Sequence, residues 1–177
     1  MGKPFYSIDN SIFEMFPGYC RGVVLAFDIK VTGSPAELVS MLRDAEKALN
    51  NKVNADDPAS HVRINSWREA YRLFGAKPAK FRSSIEGMVR RVLNGNELPS
   101  INTVVDIGNI LCLKYIITAG AHAIDVVKGD ISLKIATGEE SFTPFGADIT
   151  EQTEPGEIIF TEGKNCLVRR WSWRQAE

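Results

Sequence analysis

"INTVVDIGNILCLKYIITAGAHAID" occupies residues 101–125, and the fold turns on how it is read. Val104, Val105, Ile107, Ile110, Leu111, Leu113 and Ile116 cover nearly the whole circumference of a helix over 102–116, so that helix should be internal. Asn102, Asp106 and Asn109 nevertheless stand at i, i+4 and i+7, on one face. A buried carboxylate or carboxamide is costly unless it finds a partner. Asn102 and Asp106 are therefore read as pins that tie the helix to a neighbouring loop. The alternative reading turns the stripe toward a pocket, with Gly108 and Asp106 beside Asn109. Gly108 costs the helix roughly 1 kcal/mol relative to alanine, a cost offset if another backbone or a ligand approaches there. After the helix, Gly120 lets the chain turn and carry His122 back across the same face. A histidine titrates near neutral pH and can donate, accept or orient a water. The blander alternative makes His122 an ordinary structural hydrogen-bonder.

Working outward, "GVVLAFDIKV" (22–31) begins as a continuous apolar run and ends alternating, which predicts a strand. "SPAELVSMLRDAEKALN" (34–50) predicts a helix with Ser34 as N-cap, Pro35 in the first turn and Glu37 completing a capping box. Trp67, Ala70, Tyr71 and Phe74 fall on one face of a helix over 60–74, closed by Gly75 and Pro78. "SSIEGMVRRVLNG" (83–95) repeats the pattern and closes at Gly95. "ISLKI" (131–135) alternates strictly, and "EIIF" (157–160) and "NCLVRRW" (165–171) flank "TEGK" as a hairpin. Helices fill the middle of the chain and strands its end. This is an α+β arrangement rather than a repeating βαβ one. The 177 residues suffice for a single domain, read as a strand-and-helix region over 1–58 and a core over 59–177.

With 44% hydrophobic and 24% charged residues and a net charge of -1, the chain is no bulk polycation. No apolar run approaches the roughly 20 residues that span a bilayer, and no signal-like centre opens the sequence. A cytoplasmic protein without membrane partners is expected. Cys20, Cys112 and Cys166 are widely spaced, which predicts buried reduced thiols. With only two histidines there is no metal-ligand spacing, and neither a nucleophile elbow nor a phosphate loop is present. No metal or cofactor is expected. His61 is assigned to surface or helix N-terminal chemistry.

Charge is unevenly spread. Residues 63–91 carry eight basic side chains, among them Arg68, Arg72, Lys80, Arg82, Arg90 and Arg91, against Glu69 and Glu86 alone. Trp67, Tyr71, Phe74 and Phe81 are interleaved with them. Basic side chains bind phosphates and aromatics stack on bases, so this block can be a nucleic-acid surface. It can equally be a solvated helix face with its aromatics turned inward.

The run "LPSINTVVDIGNILCL…AGAHAID", continued by "KIATGEESFTPFG", resembles the B-three/B-four editing and tRNA-binding domain of the phenylalanyl-tRNA synthetase β subunit. "FPG", "SWREAYRLFGAKPAKFRSSIE" and "VRRWSWRQ" resemble a stand-alone form of that domain. The resemblance implies a three-layer α+β domain, with a mixed sheet or unusual sandwich and flanking helices. It also implies tRNA as partner rather than DNA, and hydrolysis of a wrongly attached aminoacyl ester with no cofactor. Asn109 and His122 match the family's site asparagine and histidine. Gly108 stands where the family has threonine, and no glutamate appears in 171–175, where the family's site glutamate falls. The family's domain continues into a further strand beyond the last residues of this chain. Nothing of a synthetase core is present, so the chain is not a tRNA ligase on its own. Two alternatives stay open: a non-catalytic RNA-binding module, and a hydrolase or binding protein for a small molecule or amino acid on the same fold.

Overall fold

The computed structural model describes residues 5–176. In chain order these form β1 (Tyr6–Ile8), α1 (Asn10–Met15), α2 (Ala36–Leu49), α3 (Val62–Leu73), α4 (Ser84–Leu93) and α5 (Thr103–Tyr115). Six strands follow: β2 (Ile131–Ile135), β3 (Ser141–Phe142), β4 (Glu151–Gln152), β5 (Ile158–Glu162), β6 (Asn165–Arg169) and β7 (Arg174–Gln175). The fold is α+β, with one open mixed sheet. The chain divides into two compact units. A helical unit takes residues 21–67 and 84–122, and a sheet unit takes the described parts of 1–20, 68–83 and 123–177.

The helical unit is built on α2, α4, α5 and the first half of α3. Its core joins Leu42, Leu49, Ile64, Ile85, Val89 and Leu113, all at 0% exposure. α2 starts one residue later than its sequence predicts: Pro35 is the N-cap, with no side-chain cap bond. Ser34 is half-buried one residue earlier, where its hydroxyl favours the charged form of Asp106. α4 closes at Gly95, whose positive φ lets the Asn96 N–H reach back to the Arg91 carbonyl. At the start of α3, the Nδ1 of His61 accepts the Arg63 N–H at 3.3 Å, a helix N-terminal role.

The strand predicted at 22–31 does not form. The segment is irregular, Asp28 takes a left-handed φ of 55°, and Val23, Val24, Leu25, Phe27, Ile29 and Val31 are 51–92% exposed. The reason is tertiary. A strand needs an edge to pair with, and β-propensity measures fit to a pleated neighbour rather than a backbone preference. Every other regular element of this unit is a helix. What ties the segment down is Thr103, the first residue of α5, whose N–H donates to the Thr32 carbonyl at 3.1 Å.

In the sheet unit the strand order is β1-β2-β5-β6-β3-β4, with β7 added to β6. β2 carries Ile131 and Leu133 inward, at 2% and 0% exposure. It pairs parallel with β1 (Tyr6↔Ile131) and antiparallel with β5 (Leu133↔Phe160). The predicted hairpin is present: Glu162 faces Asn165 across a turn at Gly163, which adopts φ 57°. Phe142, Ile159, Ala136 and Cys166 pack together on this sheet. Cys112 and Cys166 are buried as predicted, whereas Cys20 is exposed. No helix among the described residues is long and apolar enough to cross a membrane.

Candidate functional site

On α5 the polar stripe separates into distinct roles. Asn102 is the N-cap, its side chain accepting the Val105 N–H at 3.0 Å. Asp106 is fully buried; one carboxylate oxygen accepts the Ile101 N–H at 3.1 Å and the other takes the Ser100 hydroxyl. Burial raises its pKa, but the hydroxyls of Ser100 and Ser34, the Ile101 N–H and the Arg43 charge outweigh this. The group therefore sits below the ordinary carboxylate range. Asn102 and Asp106 are thus the pins expected of them, holding the loop before α5. Asn109 is half-buried one turn beyond Asp106. A Cβ built at Gly108 meets nothing within 4 Å. No neighbouring backbone therefore explains this glycine, and the helix surface beside Asn109 is open. Exposed Ile107 and Leu111 border it.

α5 ends where the sequence predicts, at Ile116, in a left-handed C-cap conformation (φ 51°). Gly120 lies exposed in the loop that follows, and His122 is half-buried in the same unit as Asn109. Burial, reinforced by the charge of Arg21, lowers the His122 pKa, so its imidazole is neutral at pH 7. Burial pushes the Cys112 thiol up to about 11, keeping it protonated.

The basic block is split between the units. Arg90 pairs with Glu86 at 3.0 Å and Arg91 donates to the Glu97 carbonyl at 2.9 Å, both in the helical unit. Arg68, Arg72, Lys80 and Arg82 belong to the sheet unit. There Arg72 pairs with Glu69, and Arg68, Arg72 and Lys77 rim a hollow of about 340 Å³ floored by Gly75–Ala79. Lys80 and Arg82 are exposed.

Sequence reasoning missed what the end of the chain brings to this surface. After β6, Arg170 and Trp171 both take left-handed φ, 46° and 64°, a costly pair for non-glycine residues. The Tyr71 hydroxyl, donating to the Arg170 carbonyl at 2.6 Å, and the Trp171 N–H, donating to the Ile158 carbonyl, hold the turn. It sends Trp171 inward among Phe16, Tyr19 and Phe74. Trp173 stays half-exposed, edge-on to Phe81 at 4.9 Å. Buried Arg169 and Arg170 are paired with Glu157, Glu151 and Glu154. "VRRWSWRQ" reads as basic and exposed because nothing local announces those carboxylates. Among the described residues no group of His, Cys, Asp and Glu could hold a metal ion.

Residues 66–177, more than half of the chain, match the B3/4 domain. The chain belongs to the B3/4 domain family. No curated protein and no solved structure matched it. Membership is consistent with the nucleic-acid association of synthetase-like proteins that carry this domain. In this B3/4 chain the matched region takes in α5, His122, the basic stretch from Arg68 and the Trp171–Gln175 turn.

Proposed function

We propose that this B3/4 protein binds tRNA and hydrolyses the ester of a wrongly attached amino acid, in the cytoplasm. Family membership over 66–177 carries the reading. An aminoacyl ester is already activated, so the chemistry needs chiefly an oriented water and a base. His122, held neutral, accepts a proton as the water oxygen attacks the ester carbonyl. The bond from that carbon to the ribose oxygen then breaks, and the imidazolium returns the proton to the ribose. The Asn109 carboxamide orients the water or a ribose hydroxyl. Where the family has threonine, Gly108 leaves room beside Asn109 for a side chain other than tyrosine. Arg68, Arg72, Lys80 and Arg82 supply phosphate contacts on the sheet unit, and Arg90 and Arg91 do so separately on the helical unit.

The test is release of amino acid from a panel of mischarged tRNAs, wild type against His122→Ala. Release from at least one pair, lost in the variant, is expected. With the His122 pKa lowered by burial, the rate should rise with pH through a midpoint on the acid side of 6.5. No release from any pair, or equal release by the variant, sinks the hydrolase. A non-catalytic RNA-binding module is the second reading. Gly108 and the absence of glutamate in Trp171–Gln175 favour it, and it predicts salt-dependent tRNA binding without turnover.

A further inference from the structure

The sheet unit carries a cation–aromatic cluster that the α5 face does not use. Phe81 and Trp173 meet edge-on, with ring centroids 4.9 Å apart at 78°. The guanidinium of Arg170, only 2% exposed, lies 3.7 Å from the Phe81 centroid and 4.7 Å from that of Trp173. It is anchored to Glu154 at 2.8 Å. Two exposed cationic side chains also lie over the rings. The Lys80 ammonium stands 5.1 Å from the Phe81 centroid and the Arg174 guanidinium 5.3 Å from that of Trp173. Lys80, Arg82 and Arg174 form no ion pair with a carboxylate among the described residues, unlike Arg169 and Arg170.

We infer that Phe81 and Trp173 are a stacking platform for an unpaired RNA base, flanked by Lys80, Arg82 and Arg174 as phosphate contacts. An exposed cation over a ring is a weak contact and marks a π face reachable from water. A base stacks there more strongly, whatever its identity, and the displaced cation moves to the adjoining phosphate. Arg170 fixes both rings from beneath, so little side-chain freedom is lost when the base arrives. A paired base offers no free face, which selects a single-stranded end over a duplex. The hollow rimmed by Arg68, Arg72 and Lys77 lies on the same stretch of chain as Lys80 and Phe81 and suits the next phosphate.

This inference rests on the tRNA-binding reading and names what the protein grips: the unpaired 3′ end. The experiment uses the full chain and three labelled RNA hairpins, followed by fluorescence anisotropy. One has a single-stranded 3′ overhang, one an overhang of the same length lacking its bases, and one a blunt end. Wild type should bind the base-bearing overhang about tenfold more tightly than the abasic one. Trp173→Leu and Phe81→Leu should bind both overhangs equally. Lys80→Ala and Arg174→Ala should weaken binding to all three hairpins and each reduce the salt slope by about one. Equal binding of base-bearing and abasic overhangs by the wild type overturns the platform, and this comparison does not depend on any variant folding. It leaves the hydrolase standing if esters are still released, whereas no binding to any RNA removes both.

Discussion

The two units bury charge differently. In the helical unit two buried carboxylates serve the backbone, Asp106 taking the Ile101 N–H and Glu46 the Leu98 N–H at 2.7 Å while pairing with Arg43, and a third, Glu86, pairs with Arg90 on its own helix. In the sheet unit, Arg169 and Arg170 face Glu157 in a network that reaches Glu151 and Glu154. Glu140 is ringed by Lys134, Thr137 and Thr153. The helical unit spends single charges to fix loops, on top of an apolar core that is complete without them. The sheet unit cannot lose one charge without stranding another, because its short strands leave Glu157 and both arginines in the interior.

The largest effect should come from Arg169→Ala. Both Arg169 and Glu157 are about 4% exposed, and removing the arginine leaves the carboxylate buried with a weaker partner. A loss of about 3–5 kcal/mol in denaturant unfolding is expected, and a loss under 1 kcal/mol would erase the contrast between the units. Next comes acid. Burial opposes ionisation of Glu140, but Lys134, Thr153 and the Thr137 N–H hold its pKa at about 2, against 4.5 unperturbed. A depressed carboxylate stabilises the fold above its unfolded pKa and loses that contribution as pH falls from about 4.5 to about 2. Glu140→Gln should remove a few kcal/mol near neutrality and flatten unfolding free energy against pH in that window. Asp106→Ala should cost about 2 kcal/mol, for the Ser100 and Ile101 donors left unpaired. Hydrogen exchange should quicken in the loop before α5 while the sheet stays protected. Smallest of all, Val24→Ser, at a position 92% exposed, should change stability by less than about 0.5 kcal/mol. Leu133→Ala in β2 should cost about 2–5 kcal/mol.

That last pair shows how far the sequence could be read. "GVVLAFDIKV" and "ISLKI" carry similar strand signals, yet only the second meets an edge to pair with. Strand formation is settled by residues far away in the chain. The helices were legible because their signals are local: the 3.6-residue spacing of Trp67, Tyr71 and Phe74, and the stop at Gly75. β1, β3, β4 and β7, at two or three residues each, carry too short a pattern to detect. On α5 the pin roles of Asn102 and Asp106 were legible, because a polar group in so apolar a helix has to find a partner. The meeting of Phe81 with Trp173 was not, since it depends on the left-handed turn at Arg170 and Trp171. Nor was the burial of two adjacent arginines, a residue type that ordinarily stays in water.

The path of the chain has a consequence for how the protein is made. All of the helical unit lies before residue 123, so it has its complete sequence while the C-terminal strands are still unsynthesised. β1 emerges ahead of every helix, yet its partner begins at Ile131 and the hairpin behind that partner at Ile158. Domains tend to fold as units during synthesis, those nearest the N-terminus first. Here the order within the chain reverses that tendency for β1, which waits for β2 to follow the whole helical unit. A nascent chain stopped shortly after His122 would hold a helical unit ready to fold and a first strand with nothing to pair with.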